Sequence, residues 1–198
     1  MIEHTQALTI DEQHVYRYRG RAVPGVTTIM RPLYAAAYDW MPKKRAEEAL
    51  ARGTAVHQCV EAYERGQMPP DEYSGQIRAW ASFRRDFGFT GAPLAVETRL
   101  YSPTWGYAGT PDIVFDGVVI DIKSSNLPCP ITAVQTMAYA DLLREAGVSI
   151  QRRYGVALRA DGTYEARQYS DDHNDRNTFK SLLAIYRFIE NKLGGGVK

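Results

Sequence analysis

The sequence predicts an α/β fold, a mixed central β-sheet flanked by α-helices. Three observations predict it. Apolar residues recur at three- and four-residue steps in separate stretches, with strand-like runs between them. Two Asp-Gly pairs, Asp116-Gly117 and Asp161-Gly162, each sit between apolar runs, a strong short-range signal for a β-hairpin. The resulting order is helix, three strands, helix, two strands, helix, which calls for a sheet combining hairpins with a helical crossover.

Residues 6–19 open the chain as a short hairpin, with β-formers Leu8, Ile10, Val15, Tyr16 and Tyr18 around polar Asp11-Glu12-Gln13. Val23-Pro24-Gly25-Val26-Thr27-Thr28-Ile29 is a turn leading into an apolar segment. From about Asp39 the chain is helical: Ala46, Ala49, Leu50, Val56, Val60 and Tyr63 share a face, interrupted by Gly53, and Gly66 to Pro70 ends the stretch. A second helix covers 71–87, with Ile77, Trp80, Ala81 and Phe83 on its buried side. Strands follow at 94–101, 107–115 and 118–124. Pro128 and Pro130 bracket the start of an amphipathic helix over 131–146, with Gly147 as its C-cap. Strands 150–158 and 163–169 form the second hairpin, Ser170-Asp171-Asp172 caps a last helix to about Leu193, and 194–198 is a Gly-rich tail. No repeat or linker divides the chain, so residues 1–193 are expected to be one domain, with hairpin 6–19 appended.

The totals restrict function more than they define it. With 44% hydrophobic and 24% charged residues the composition is that of a globular protein, and a formal charge of +1 neither points to nucleic acid nor excludes a local basic groove. The two cysteines, Cys59 and Cys129, make no CxxC and no four-ligand set, which argues against structural zinc or an iron–sulfur cluster. No segment approaches the roughly 18 apolar residues of a membrane helix. The N-terminal Met-Ile-Glu-His-Thr-Gln lacks a secretory pattern, so the expected compartment is the cytoplasm.

Residues 110–123, Thr-Pro-Asp-Ile-Val-Phe-Asp-Gly-Val-Val-Ile-Asp-Ile-Lys, carry the chemistry. With Asp116-Gly117 as the turn, Phe115 opposes Val118, Val114 opposes Val119, Ile113 opposes Ile120 and Asp112 opposes Asp121. Opposed residues share a face, with Cβ atoms about 5 Å apart. Lys123, two residues beyond Asp121, shares it too. Two carboxylates side by side in an apolar hairpin repel each other and resist desolvation, and a divalent cation relieves both costs.

Pro111-Asp112, an eight-residue gap and then Asp121-Ile122-Lys123 resemble the PD-(D/E)XK nuclease signature. Gly53-Thr54-Ala55-Val56-His57 resembles the G-T-x-x-H motif of the RecB-like and phage exonuclease branch. Glu97 matches that branch's additional acid, and Gln135-Thr136-Met137-Ala138-Tyr139 resembles its Q-x-x-x-Y motif. The elements stand in family order and cover about residues 23–145. The resemblance implies a restriction-endonuclease-like core and hydrolysis of DNA phosphodiester bonds, most simply by an exonuclease of phage recombination type. Alternatives are a structure-selective or non-specific endonuclease, or an inactive nuclease fold that only binds DNA. It implies one or two Mg²⁺ or Mn²⁺ ions held by His57, Glu97, Asp112, Asp121 and the Ile122 carbonyl. Catalytic roles fall to Asp112, Asp121, Lys123, Gln135 and Tyr139. By the same analogy a homo-oligomer and a single-strand annealing protein are expected partners, the cytoplasm being the host's if the chain is phage-encoded. Members with an iron–sulfur cluster need four cysteines, and this chain has two.

Several residues admit two readings from the sequence alone. Glu97 is a second-metal ligand or a strand-end acid paired with Arg99 or Arg78; His57 is a ligand or an ordinary helix histidine. Gly53 suggests the close approach of another backbone, because glycine costs about 1 kcal/mol inside a helix. Arg78, Arg84, Arg85 and Arg99, with Lys43, Lys44, Arg45 and Arg52, are candidate phosphate contacts or merely solvated charges. Trp40, Trp80 and Trp105 suit the core, although Trp105, in a Pro/Gly-rich loop, could instead stack on a base. Ser124, Ser125 and Asn126 are weaker phosphate candidates.

Overall fold

In the computed structural model, residues 5–124 and 130–193 are described. Strands β1 (Leu8–Ile10), β2 (Tyr16–Tyr18) and β3 (Arg21–Val23) form an antiparallel meander, so the expected hairpin gains a third strand. Two short helices follow, α1 (Val26–Ile29) and α2 (Arg31–Tyr38). The sequence reading had no helix over 31–38, although Pro32 lies in the first turn, where the missing N–H costs nothing. Long helix α3 (Lys43–Glu64) starts four residues later than expected and runs through Gly53 without the expected interruption, and α4 (Ser74–Asp86) lies within the expected 71–87.

The expected strands 94–101 and 107–115 are each divided. The first becomes β4 (Ala95–Val96) and β5 (Leu100–Ser102), the second β6 (Tyr107–Gly109) and β7 (Ile113–Phe115). One break lies at Glu97, whose φ of 47° leaves the extended region. The other is Thr110-Pro111-Asp112, where Pro111 has no N–H for a ladder. β5 and β6 pair as a separate two-stranded sheet, and β4 stays with the main one. Then come β8 (Gly117–Lys123), α5 (Pro130–Glu145), β9 (Ile150–Leu158), β10 (Tyr164–Tyr169) and α6 (Asp172–Lys192).

The central sheet has the order β10-β9-β8-β7-β4. β8 and β9 run parallel, joined through α5, and the other pairs are antiparallel, so the sheet is mixed as expected. The β7–β8 register is the one the sequence predicted, Ile113 with Ile120, Val114 with Val119 and Phe115 with Val118. Gly117, at φ 69°, makes the turn. Alternation along β8 separates two cores. Val118, Ile120 and Ile122 pack with Val56, Trp80 and Phe83 of α3 and α4; Val119 packs with Met137, Leu142 and Phe179 of α5 and α6.

A polar clamp, not anticipated from sequence, fastens α6 and α5 to β9. Arg153 is 1% exposed. Its guanidinium donates to Asp172 Oδ1 at 2.9 Å, Asp175 Oδ2 at 2.6 Å, the Ala133 carbonyl at 2.6 Å and Thr136 Oγ1 at 3.2 Å. Arg176 likewise holds Asp141 of α5. Arg153→Ala is expected to cost about 3 kcal/mol, because it strands buried acceptors. Chemical denaturation checks this, and a loss under about 1 kcal/mol would show the clamp to be incidental.

Candidate metal centre

The end of the β7–β8 ladder is closed by a side chain. Asp112 Oδ2 accepts from the Ile122 N–H at 2.7 Å. The backbone carbonyl of Asp112 accepts from the Glu97 N–H at 2.9 Å, and the positive φ at Glu97 then turns its carboxylate toward the same point. From α3, His57 places Nε2 2.9 Å from the Ile122 carbonyl, with Nδ1 3.4 Å from Glu97 Oε1 and 3.5 Å from Asp112 Oδ1. His57, Glu97 and Asp112 therefore offer ligand atoms all within 4.8 Å of one another.

Asp121 is fully buried and ion-paired with Lys123, Oδ2 to Nζ 2.5 Å. Beyond that pair neither of its oxygens meets a hydrogen-bond donor among the described residues. Lys123 also donates to Gln135 Oε1 at 3.2 Å. That oxygen accepts from the Tyr34 hydroxyl at 3.0 Å as well, and Gln135 Nε2 donates to the Tyr139 hydroxyl at 3.1 Å. Tyr139 is buried, with its hydroxyl turned to Gln135.

Charge crowding shifts these groups. Burial, with Asp121 and Glu97 nearby, pushes the Asp112 carboxyl up to about 7 against the pull of His57 and Lys123. Burial opposes charge on His57, but Asp112 and Glu97 outweigh it and raise the ring to about 9. Burial likewise opposes charge on Lys123, and Asp121 more than compensates. The carboxylates of Asp112 and Glu97 next to an imidazole, beside a buried Asp121 whose oxygens meet no donor beyond Lys123 among the described residues, form a hard-oxygen and nitrogen donor set that suits a divalent cation. His57 Nδ1 is the ring atom aimed at the acids; Nε2–H, bonded to the Ile122 carbonyl, would fix its orientation. The Ile122 carbonyl, expected as a ligand, is here the acceptor that holds His57.

Other sequence candidates are placed elsewhere. Arg84 is bound by Glu64 at 2.8 and 2.9 Å and by the Phe89 and Gly91 carbonyls. Arg85 pairs with Asp86 at 3.0 Å, and Arg78 bonds Ser74 and lies against Gly162. All three are on α4, which packs on β9 and β10. Trp105 packs beside α6, with Lys180 Nζ 4.4 Å from its ring centroid and its carbonyl taken by Arg187. Trp40 is 68% exposed, contrary to its core assignment, while Trp80 is fully buried. Lys43 pairs with Glu47 at 3.8 Å. Ser124 lines a groove beside Lys123. Ser125, Asn126, Cys129 and the tail lie outside the described residues. Gly53 is not pressed by another backbone: a Cβ there would meet nothing described nearer than Ser124 Oγ at 4.0 Å.

The sequence reading missed Tyr34, which grips Gln135, and Tyr16, whose hydroxyl lies 2.7 Å from Thr110 Oγ1 beside Asp112. The i,i+4 spacing of Tyr34 and Tyr38 behind Pro32 was the available signal for the first.

No family model matches the sequence, and no curated protein matches it. Among solved structures, a protein from Eubacterium rectale described as a candidate exonuclease superposes with a TM-score of 0.50 at 12% identity. The match covers 69% of this chain and 65% of that one, just under two thirds of its length. An alkaline exonuclease from Laribacter hongkongensis superposes with a TM-score of 0.38 at 17% identity, over 66% of this chain and 78% of that one. At such identities the likeness to the first concerns the fold alone, and the second superposition is too loose to argue from.

Asp112 and His57 both bind their protons more tightly than in an unfolded chain. Their contribution to metal-free stability is therefore full below the unfolded values of 3.8 and 6.5 and is lost as pH rises through about 7 and about 9. Thermal unfolding in EDTA is expected to fall by about 5 °C between pH 6 and pH 9. Mn²⁺ or Mg²⁺ should raise it more at pH 8.5 than at pH 6, because ligands must shed protons to bind. A metal-free melting temperature that rises over this range would contradict the cluster as described.

Proposed function

We propose that the protein is a metal-dependent deoxyribonuclease of PD-(D/E)XK type, acting on DNA as an exonuclease. The observation that carries this reading is the convergence of Asp112, Glu97 and His57 beside the buried Asp121–Lys123 pair, at the end of the central hairpin and open to a groove. The fold likeness to a candidate exonuclease supports it without deciding substrate or polarity.

In this reading His57, Glu97, Asp112 and Asp121 hold one or two Mg²⁺ or Mn²⁺ ions. Bound there, such an ion would lower the pKa of a coordinated water and supply a positive field for the phosphate. Lys123, fixed by Asp121 and Gln135, presents its ammonium where charge grows on the phosphate oxygens. Gln135 and Tyr139 keep that ammonium in place, and Tyr34 closes the chain of hydrogen bonds. Hydrolysis joins the water oxygen to phosphorus and breaks the P–O3′ bond, leaving a 5′-phosphate and a 3′-hydroxyl. Ser124 is a contact to the substrate backbone; Arg84 and Trp105, engaged within the fold, are not part of the proposal. Arg78 and Arg85 contribute at most to the outer path of the duplex. Single-domain organisation, assembly with further copies or an annealing protein, and action in the cytoplasm belong to the same reading.

End-labelled linear duplex and covalently closed circular DNA, incubated in parallel with Mg²⁺ and Mn²⁺, test it. The expected outcome is loss of the linear substrate alone. Asp121→Ala should lower the rate by about 10³-fold or more, and Lys123→Met should do the same while leaving metal-induced thermal stabilisation in place. Cutting of the circle would make the enzyme an endonuclease. Binding of DNA without cleavage under either metal would leave a binding module.

A further inference from the structure

Building on the nuclease reading, we infer that the groove between α2 and α3 receives one unpaired nucleobase of the strand being cut, so that the substrate must offer an unstacked nucleotide next to the scissile phosphate. The groove encloses about 550 Å³ and is continuous with the metal centre, since His57 and Lys123 line both. Tyr34 and Tyr38, one turn apart on α2, form one wall; Leu50 and Gly53 of α3 form the other; Ser124 lies beside Lys123.

Several features of this groove point to a flat, partly apolar occupant. No residue of α2 is fully buried: Leu33 and Tyr34 pack partly against the core, and Tyr34 and Tyr38 line the groove. Leu50 is 73% exposed on the opposite wall. Gly53 leaves the wall open where any other residue would narrow it, and among the described residues nothing packs against it closely enough to require glycine. Aromatic rings accept any base on their faces, at about 1–3 kcal/mol per stacked base. A comparable groove on the other side of the metal cluster is built differently. It encloses about 570 Å³ and is lined by Glu61, Arg65, Glu97 and Arg99, with Tyr16. The two grooves meet at Thr54 and His57. A strand passing through the centre would thus leave its charged backbone on the polar side and its base on the tyrosine side.

A base enters such a groove only after leaving its stack, at a cost of a few kcal/mol in a duplex and little in a single strand. Single strands and frayed ends should therefore be cut faster than blunt G·C-rich ends. The Tyr34 hydroxyl shares Gln135 Oε1 with Lys123, so an occupant resting on Tyr34 bears directly on the group that holds the catalytic ammonium.

The test pairs cleavage with binding. An end-labelled single-stranded oligonucleotide, intact or with one abasic residue stepped through the positions near the end, is cut with Mg²⁺ by wild type and Tyr38→Ala. The same oligonucleotides are titrated by fluorescence anisotropy with Ca²⁺ in place of Mg²⁺. One abasic position is expected to slow cleavage and weaken binding by about 10-fold, within the range of a lost stack. Tyr38→Ala should lose about as much on the intact strand, and the two changes combined should lose no more than either alone. Circular dichroism confirms that the variant is folded, and Tyr38→Phe should restore the wild-type behaviour. Cleavage and binding indifferent to every abasic position and to Tyr38→Ala would overturn the subsite while leaving the nuclease reading intact. Base-dependent binding without cleavage would uphold the subsite and overturn the nuclease reading. Neither cleavage nor binding would overturn both.

Discussion

The site depends on how one β-ladder ends. Where β7 and β8 would exchange one more backbone bond, the Asp112 carboxylate takes the Ile122 N–H instead. That substitution fixes the first acid at the mouth of the sheet. The same two residues then anchor the remaining donors through their backbones: Asp112 holds Glu97 through its carbonyl, and Ile122 holds His57 through its own. Three donors, one from α3 and one each from the residues that follow β4 and precede β7, are thus tied to the backbone of Asp112 and Ile122. Their relative positions are set by backbone hydrogen bonds, which tolerate little drift. A centre fixed this way is preorganised in the sense that matters for electrostatics, because its charges need not move to meet a ligand.

The cost of this arrangement is concentrated on Asp121. Alternation along β8 sends Ile122 into one core and Asp121 with Lys123 toward α5, where Asp121 is fully buried. An acid there needs a cation, and Lys123 provides one in the metal-free chain. Lys123 in turn needs a fixed acceptor, provided by Gln135 from a helix almost wholly buried against the sheet. The Arg153 clamp is part of the same requirement, because it bonds the first turns of α5 at Ala133 and Thr136, immediately beside Gln135. The polar network of the site thus extends through α5 into the packing of α6, which no local sequence motif would suggest.

Legibility followed the range of the interactions. The β7–β8 register, the shared face of Asp121 and Lys123 and that of Gln135 and Tyr139 were readable because turn chemistry and periodicity act over a few residues. The divided strands were not. The break at Glu97 comes from a positive φ that tertiary bonds impose on a glutamate, and nothing in its own identity announces it. Helix α2 was missed because it is eight residues long and buries none of them completely, leaving a weak periodic signal. Arg84 and Trp105 looked available for nucleic acid because their partners, Glu64, Lys180 and Arg187, are distant in sequence. Arg153 shows the converse: a strand arginine reads as solvent-facing until two acids of the last helix are seen to surround it.

The division of labour along the chain follows from this geometry. The candidate donors come from α3, β8 and the residues bordering β4 and β7, and α5 packs behind them. The grooves on either side of the centre are lined mostly by α3 and the ends of the central strands, with Tyr16 added on the polar side and Tyr34 and Tyr38 on the apolar side. Those tyrosines belong to the meander and the short helices, elements with few fully buried side chains and few constraints from the central sheet. Changes there alter the shape of the grooves without disturbing the backbone bonds that hold the donors. On the nuclease reading, the centre would set which bond chemistry is available, and Tyr16, Tyr34 and Tyr38 would join α3 in shaping what can be laid across it.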